Sequence, residues 1–452
     1  MSDNVQHLVL AGAAIVVLIL LITKLKLHPF LALSFTALGL AFANGIGPEA
    51  TVEHFETGFG NTLGGSGPTI GLGTILGGIL LGTGGADRIA TAFLGSRPIA
   101  WIPTAITAAA LLIGMPHLFD VSFVMLVPLV YAAAKRTGSH LLWVGLPMAA
   151  GLYISHGLLP PHPSPTLAVS AYDASTGLTL LYGLIIGIPI AVLTGPVLTK
   201  VASRWFGPAP DLDKGPVPDQ SANAPETLRR PVSLTLSLIT VLLPPALMLI
   251  GTIGTEQTTE GTWQYTVFEA CDNPVLTLLA AVVFAVFALG LRTGFTGTQL
   301  QKMTAKGLGA VGAIVLILGA GGALKEVLSA TGVDQAISDY AVSWSVPPLL
   351  LAWCVAALLR ICLGSATVAT AAATGIVAPL MGAYPDLSPE LLVLATASGA
   401  VMLSHVNDSG FWLFKEYFQL SIGQTLRTWT LMLSVQSLLS LGGIMLLSTV
   451  VS

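Results

Sequence analysis

Charged side chains are scarce in this sequence. Asp, Glu, Lys and Arg make up 9% of its 452 residues and 54% are hydrophobic, whereas about 25% are charged in ordinary soluble domains. So little charge cannot dress a water-soluble surface of this size, which leaves a polytopic membrane protein. The formal net charge of −4 is small and spread over loops, so nothing points to nucleic acid or to a charged macromolecular partner. Cysteine is nearly absent as well. Cys271, Cys354 and Cys362 form no CxxC or paired spacing, which argues against metal or redox chemistry and for buried structural roles. The first apolar run, Leu8 to Ile22, follows Asp3 and no Lys or Arg. It lacks the basic segment of a cleaved leader and reads as a retained first helix. Gly64-Gly65-Ser66-Gly67 lacks the GK[ST] ending of a phosphate loop and is rejected as one.

What the chain has in abundance is apolar runs. They lie at 8–23, 28–46, 67–85, 99–134, 141–155, 164–172, 178–199, 232–251, 274–291, 308–328, 347–380, 391–403, 409–414 and 430–450, and they imply an all-α polytopic architecture. The longest polar connection, Arg204 to Arg230, contains Gly207-Pro208, Pro210, Pro216, Pro218 and Pro225, the composition of a flexible linker between 1–203 and 231–452. The two halves share landmarks in order. Pro29 matches Pro274, Gly85-Ala86-Asp87 matches Gly332-Val333-Asp334, and Ile113-Gly114 matches Leu363-Gly364. Val127-Pro128-Leu129 matches Ala378-Pro379-Leu380 and Ser155-His156 matches Ser404-His405; the five offsets are 245, 247, 250, 251 and 249 residues. Such constancy reads as an internal duplication.

Loop charge adds an orientation. Lys24 and Lys26 in the first half correspond to a stretch with Glu256, Glu260, Glu269 and Asp272. Glu49, Glu53 and Glu56 correspond to Arg292, Lys302 and Lys306, and Lys135-Arg136 to Asp386 and Glu390. The sign reverses each time. With basic loops placed inside, the linker is cytoplasmic, both termini are external, and the halves are inverted-topology repeats of the kind secondary transporters use, with discontinuous helices meeting at a midplane site.

Candidate site residues are the polar groups stranded in hydrocarbon, where they are costly and usually line a substrate or ion path. The segment Ser404-His405-Val406-Asn407-Asp408-Ser409-Gly410-Phe411-Trp412 follows the apolar run 391–403. Its counterpart holds Ser155, His156, His162 and Thr166 around Pro160, Pro161, Pro163 and Pro165, which no helix continues through. Two further breaks lie at Ile113-Gly114-Met115-Pro116 and at Arg360-Ile361-Cys362-Leu363-Gly364-Ser365-Ala366-Thr367. There Ser365 is a candidate N-cap, and a helix start would offer its positive end to an anion. The histidines suit either ligand and proton handling or a bond to a backbone carbonyl. Arg360 is a fork for a carboxylate, the substrate's or that of Asp408. Asp120, flanked by Leu118, Phe119, Val121, Phe123 and Val124, suits either a proton carrier or a structural partner for a buried base. Asp87 and Asp334 read as helix-end residues.

The segments Ser155–Pro163, Leu359–Ala369 and Ser404–Phe418 resemble the gluconate permease family, and the similarity runs over most of the chain. That resemblance implies a bacterial inner-membrane proton symporter for gluconate or related sugar acids, with D-serine carriers among its relatives. It further implies scaffold and transport domains, a homodimer and elevator-type movement, with no cofactor beyond the coupling proton. Asp120 stands where the family pattern has Glu, and Ser164 and Ser409 replace Gly and Pro. The substrate carboxylate is expected at Ser365, Thr367 and Arg360. Its hydroxyls are expected at Ser155, His156, His162, Thr166, Ser404, His405, Asn407 and Asp408, with Asp120 taking the proton. The rivals are a sodium-coupled dicarboxylate carrier, a channel, and an intramembrane enzyme, the last disfavoured because no nucleophile stands beside a base at a recognisable spacing.

Overall fold

The computed structural model describes residues 3–95, 98–116, 118–206, 231–331, 347–378, 381, 382, 384, 386–406 and 408–451. The first half contributes α1 (Asp3–Thr23), α2 (Pro29–Ala43), α3 (Pro48–Gly82), α4 (Gly85–Leu94), α5 (Ile102–Gly114), α6 (Phe119–Thr137), α7 (Leu141–Leu158), α8 (Pro163–Tyr172), α9 (Thr176–Val192) and α10 (Leu198–Ala202). The second contributes α11 (Leu234–Gln257), α12 (Trp263–Asp272), α13 (Pro274–Ala285), α14 (Gly297–Ala330), α15 (Pro348–Leu363), α16 (Ala366–Val377), α17 (Pro389–Gly399), α18 (Ser409–Tyr417), α19 (Ile422–Thr425) and α20 (Leu431–Leu447). No strand occurs among the described residues. Seven helical stretches among them are long and apolar enough to cross a membrane, including 48–82, 141–172 and 422–447. This is a multi-pass membrane protein.

Prolines set many of the boundaries. Pro29, Pro48, Pro163, Pro274, Pro348 and Pro389 each open a helix, where the missing N–H would have had no partner anyway. Helices stop at glycines in the left-handed region, Gly138 at φ 63° and Gly364 at φ 81°, a conformation that strains any residue with a Cβ.

Helix order recurs across the chain. The starts Pro29, Pro48, Ile102, Phe119, Leu141, Pro163 and Thr176 are followed 245 to 249 residues later by Pro274, Gly297, Pro348, Ala366, Pro389, Ser409 and Ile422. Packing recurs with it. A Cβ on Gly151 of α7 would fall 2.4 Å from the Thr107 carbonyl of α5 and 3.1 Å from Ala110 Cβ. On Gly399 of α17 it would fall 2.4 Å from the Trp353 carbonyl of α15 and 3.0 Å from Ala356 Cβ. Small residues at such crossings let backbones touch, which is how helices associate in lipid. The two longest helices, α3 and α14, make the most extensive helix–helix contact. Across it Gly58 meets the backbone at Gly322, and Gly78 meets Met303 and Gly307.

Some sequence expectations need correction. Glu49, Glu53 and Glu56 lie on α3, and Lys302 and Lys306 on α14, not in loops. A helix that emerges from the apolar layer keeps its geometry while its composition turns polar. The run 391–403 is not one helix either, since α17 ends at Gly399. The cysteines are free and none is buried; Cys354 is exposed on the surface of an apolar helix, where lipid takes the place of a protein core. Asp87 does lie in the first turn of α4 and Gly64–Gly67 lies inside α3. Asp334, Asn407, the pair Pro379-Leu380 and most of the linker (207–230) fall outside the described residues.

Gly151→Ala and Gly399→Ala are each expected to lower the melting temperature in detergent, overpacking costing about 1–3 kcal/mol. Gly39→Ala in α2, with nothing within 4 Å of the added methyl, is expected not to.

Candidate functional site

Four helices begin at breaks within the helical body: α6 after Gly114, α8 after Leu158, α16 after Leu363 and α18 after Gly399. Each break leaves helix-end carbonyls and amides that the apolar surroundings cannot satisfy. In the first half the two breaks satisfy each other. The hydroxyl of Ser155, in the last turn of α7, donates to the Leu111 carbonyl at 2.8 Å. His162 Nε2 lies 2.7 Å from the Gly114 carbonyl; since a carbonyl only accepts, Nε2 carries the hydrogen. Both histidines therefore sit by the end of α5, their ring centroids 5.2 Å apart.

The second half uses charge for the same task. Arg360, 1% exposed, turns back from the last turn of α15 to donate to the Gly364 carbonyl and to Asp408 Oδ2. Asp408 Oδ2 also accepts from the Ser404 hydroxyl, with the Tyr153 hydroxyl at 3.5 Å. Its Oδ1 accepts the Gly410 amide at 3.1 Å and so caps α18. Ser404 is fixed in turn by Trp429 Nε1, which donates to its hydroxyl at 2.7 Å, and by Thr430, whose hydroxyl donates to its carbonyl. Tyr153 joins the two systems. Its ring packs at 4.8 Å from Phe119, 5.5 Å from His156 and 5.2 Å from Trp429, so elements of both halves converge on one aromatic and polar hub.

The four helix starts differ in charge. α6 carries Asp120 in its first turn and α18 is capped by Asp408, so both positive ends face a carboxylate. α8, with His162 as N-cap, and α16, capped by Ser365 through the Val368 amide at 3.4 Å, have no acidic residue in their first turns. These two pack against each other. An anion is favoured there by up to about half a positive charge per helix end. At the α8 start lies a narrow cleft of about 10 Å³, room for about one water, lined by His162, Pro161, Met115 and Pro116 and by Ile70 and Thr74 of α3.

A family model described as GntP family permease matches residues 6–450. The chain belongs to that family. It is 41% identical to a gluconate permease of Pseudomonas aeruginosa over 100% of this chain and 99% of the relative. It is 38% identical to the Gnt-II system L-idonate transporter of Escherichia coli over 98% and 99%. Among solved structures, the YdaH transporter of Alcanivorax borkumensis superposes with a TM-score of 0.63 at 13% identity, covering 94% of this chain and 98% of that one, a likeness of fold.

In this GntP family permease the residues singled out by sequence separate into two groups. Arg360, Asp408 and Ser404 are engaged with one another, and Ser155 and Ser365 with backbone. His156 Nδ1 and Thr166 Oγ1 are buried with no hydrogen-bond partner among the described residues. Thr367 lies buried in the first turn of α16, His405 is half-buried, and Asp120 is exposed, while close enough to Asp408 for the two carboxylates to repel. Asn407 lies outside the described residues. Tyr153 and Trp429 were not singled out from sequence. The available signal was a phenol and an indole in apolar helices, whose O–H and N–H need partners.

Because an unpaired buried charge is costlier than none, Arg360→Met and Asp408→Asn are each expected to destabilise by about 3–5 kcal/mol. The double variant should unfold at a higher temperature than either single, as read by thermal melts in detergent.

Proposed function

We propose that this permease carries gluconate or a related small hydroxy-carboxylate into the cell together with protons, across a bacterial inner membrane. The observation that carries the proposal is the pairing of two acid-free helix starts, at Ser365 and His162, beside unpartnered buried polar atoms on His156 and Thr166. A carboxylate fits the helix ends and hydroxyls fit the polar atoms. The relatives' names point the same way. In this reading the carboxylate sits at the α16 start by Ser365 and Thr367, and its hydroxyls are read by His156, His162 and Thr166, with His405 completing the pocket. Arg360, Ser404 and Asp408 hold the pocket's far wall, and Arg360 reaches the anion only if Asp408 releases it. Asp120 takes the proton. Its exposed position and its nearness to Asp408 suit a group that must load and unload, since coupling requires that proton and anion bind better together than apart.

The recurrence of helix starts and of the Gly151 and Gly399 crossings supports two repeats, 1–203 and 231–452. The reversed loop charges support their opposite orientation, with a cytoplasmic linker and external termini. Movement of the repeat-derived core against the outer helices, in a homodimer, gives alternating access of the elevator type.

Proteoliposomes loaded at high internal pH are expected to accumulate labelled gluconate, and to lose that accumulation when the pH gradient is collapsed at fixed membrane potential. Replacing sodium by choline is expected to change nothing; a dependence on sodium contradicts proton coupling. Asp120→Asn is expected to abolish accumulation while leaving exchange of labelled for unlabelled gluconate. Accumulation that persists in Asp120→Asn removes Asp120 as the carrier.

A further inference from the structure

Charged and titratable groups reach Asp408 from three other helices: Arg360 from α15, Tyr153 and His156 from α7, and Asp120 from α6. On α18 itself Lys415 pairs with Glu416, and the segment before α20 brings the uncharged Trp429 and Thr430, through Ser404. Arg360 is the cation of this group, set against two carboxylates. Its pairing with Asp408 does not use it fully. Nη1 donates to the Gly364 carbonyl and Nη2 to Asp408, but Nε is buried with no hydrogen-bond partner among the described residues. The Gly364 contact holds the guanidinium one residue before Ser365, the half-buried cap of α16. An anion at that helix start is thus brought next to an arginine whose charge is already matched.

Such an anion adds a negative charge where Asp408 and Asp120 already repel each other, and a buried carboxylate that loses its counterion is costly. One proton restores the balance. On His156 it would put a second cation beside Arg360; on Asp408 it removes the charge that competes with the anion. We propose that Asp408 holds the coupling proton, and that it and the substrate carboxylate exchange places as the partner of Arg360. Before loading, Arg360 pairs with the Asp408 carboxylate. On loading, a proton from solution adds to Asp408 Oδ2, the ion pair breaks, and the substrate carboxylate takes the freed guanidinium. One proton enters with each anion, so the charge of the group is unchanged. The Tyr153 hydroxyl, 3.5 Å from Oδ2, turns from donor to acceptor for the new O–H. Only a proton has to enter at Asp408, so its burial is no obstacle. This rests on the proton-symport reading above and deepens it: Asp120, exposed and nearby, takes the proton from solution and gives it back, and Asp408 holds it.

The test is proton uptake on binding, read with a pH indicator as gluconate is added to purified protein in weakly buffered detergent solution. Wild type and Asp120→Asn are each expected to take up about one proton per gluconate bound, with a Kd that rises by up to about tenfold per pH unit. Asp120→Asn then fails to accumulate gluconate because the proton on Asp408 has lost its way out, while its binding stays coupled. Asp408→Asn carries the charge of the loaded form. It is expected to bind gluconate with no proton uptake and a Kd independent of pH. Gluconate should also raise its melting temperature more than that of wild type, because the anion pairs an arginine left alone. Gluconate binding by Asp120→Asn without proton uptake overturns the proposal and returns the proton to Asp120; this arm decides even if Asp408→Asn does not fold. Proton uptake that survives in Asp408→Asn overturns it too. If wild type binds gluconate without a proton, or binds none, the symport reading fails and this proposal with it.

Discussion

A guanidinium and a carboxylate that meet where water is excluded must be matched closely, because each alone costs several kcal/mol to bury. Arg360 and Asp408 meet in this way, with side chains 0% and 8% exposed. Much of the centre of the protein follows from that requirement. Arg360 ends α15 and lets Gly364 turn the chain into α16. Asp408 starts α18 and collects Ser404 and Tyr153. Trp429 and Thr430 then fix Ser404. One ion pair thus joins the two breaks of the second half to each other and, through Tyr153, to α7 of the first.

The first half reaches a comparable arrangement without charge. Ser155 and His162 supply hydrogen bonds to the carbonyls that α5 leaves open, so its breaks are closed by neutral donors. The difference has a functional consequence. Carboxylates occupy the positive ends of α6 and α18, whereas those of α8 and α16, two helices packed against each other, stay free of acid. The half-site structure is therefore asymmetric even though the helices that build it recur. In the transport reading proposed above, that pair of helix starts takes the anion, and His156 and Thr166 offer it polar atoms without partners.

Much of this was legible in sequence because membranes punish irregularity. Four prolines between Pro160 and Pro165, or Gly364 followed by Ser365, can only mean a broken helix, and in hydrocarbon a break needs a purpose. The long match to the gluconate permease pattern carried the family, and the five matched landmarks are the sequence signal for the proposed duplication. Other features were not legible. Composition made 47–66 look like a loop because a helix leaving the apolar layer changes its residues and not its shape. Arg360 left open whether its partner was substrate or Asp408, since sequence spacing does not show which of two carboxylates is nearer. Tyr153 and Trp429 were hidden because one aromatic in an apolar helix is unremarkable until its neighbours from other helices are seen.

The central claim is that stretches from both halves form one binding site. Equilibrium binding of labelled gluconate to purified protein tests it most directly, comparing wild type with His156→Gln from one stretch and His405→Gln from the other. The account predicts that each variant, while melting as wild type does, loses most of its binding. Unimpaired binding in either one would contradict it, since a site complete within the other half needs no second stretch.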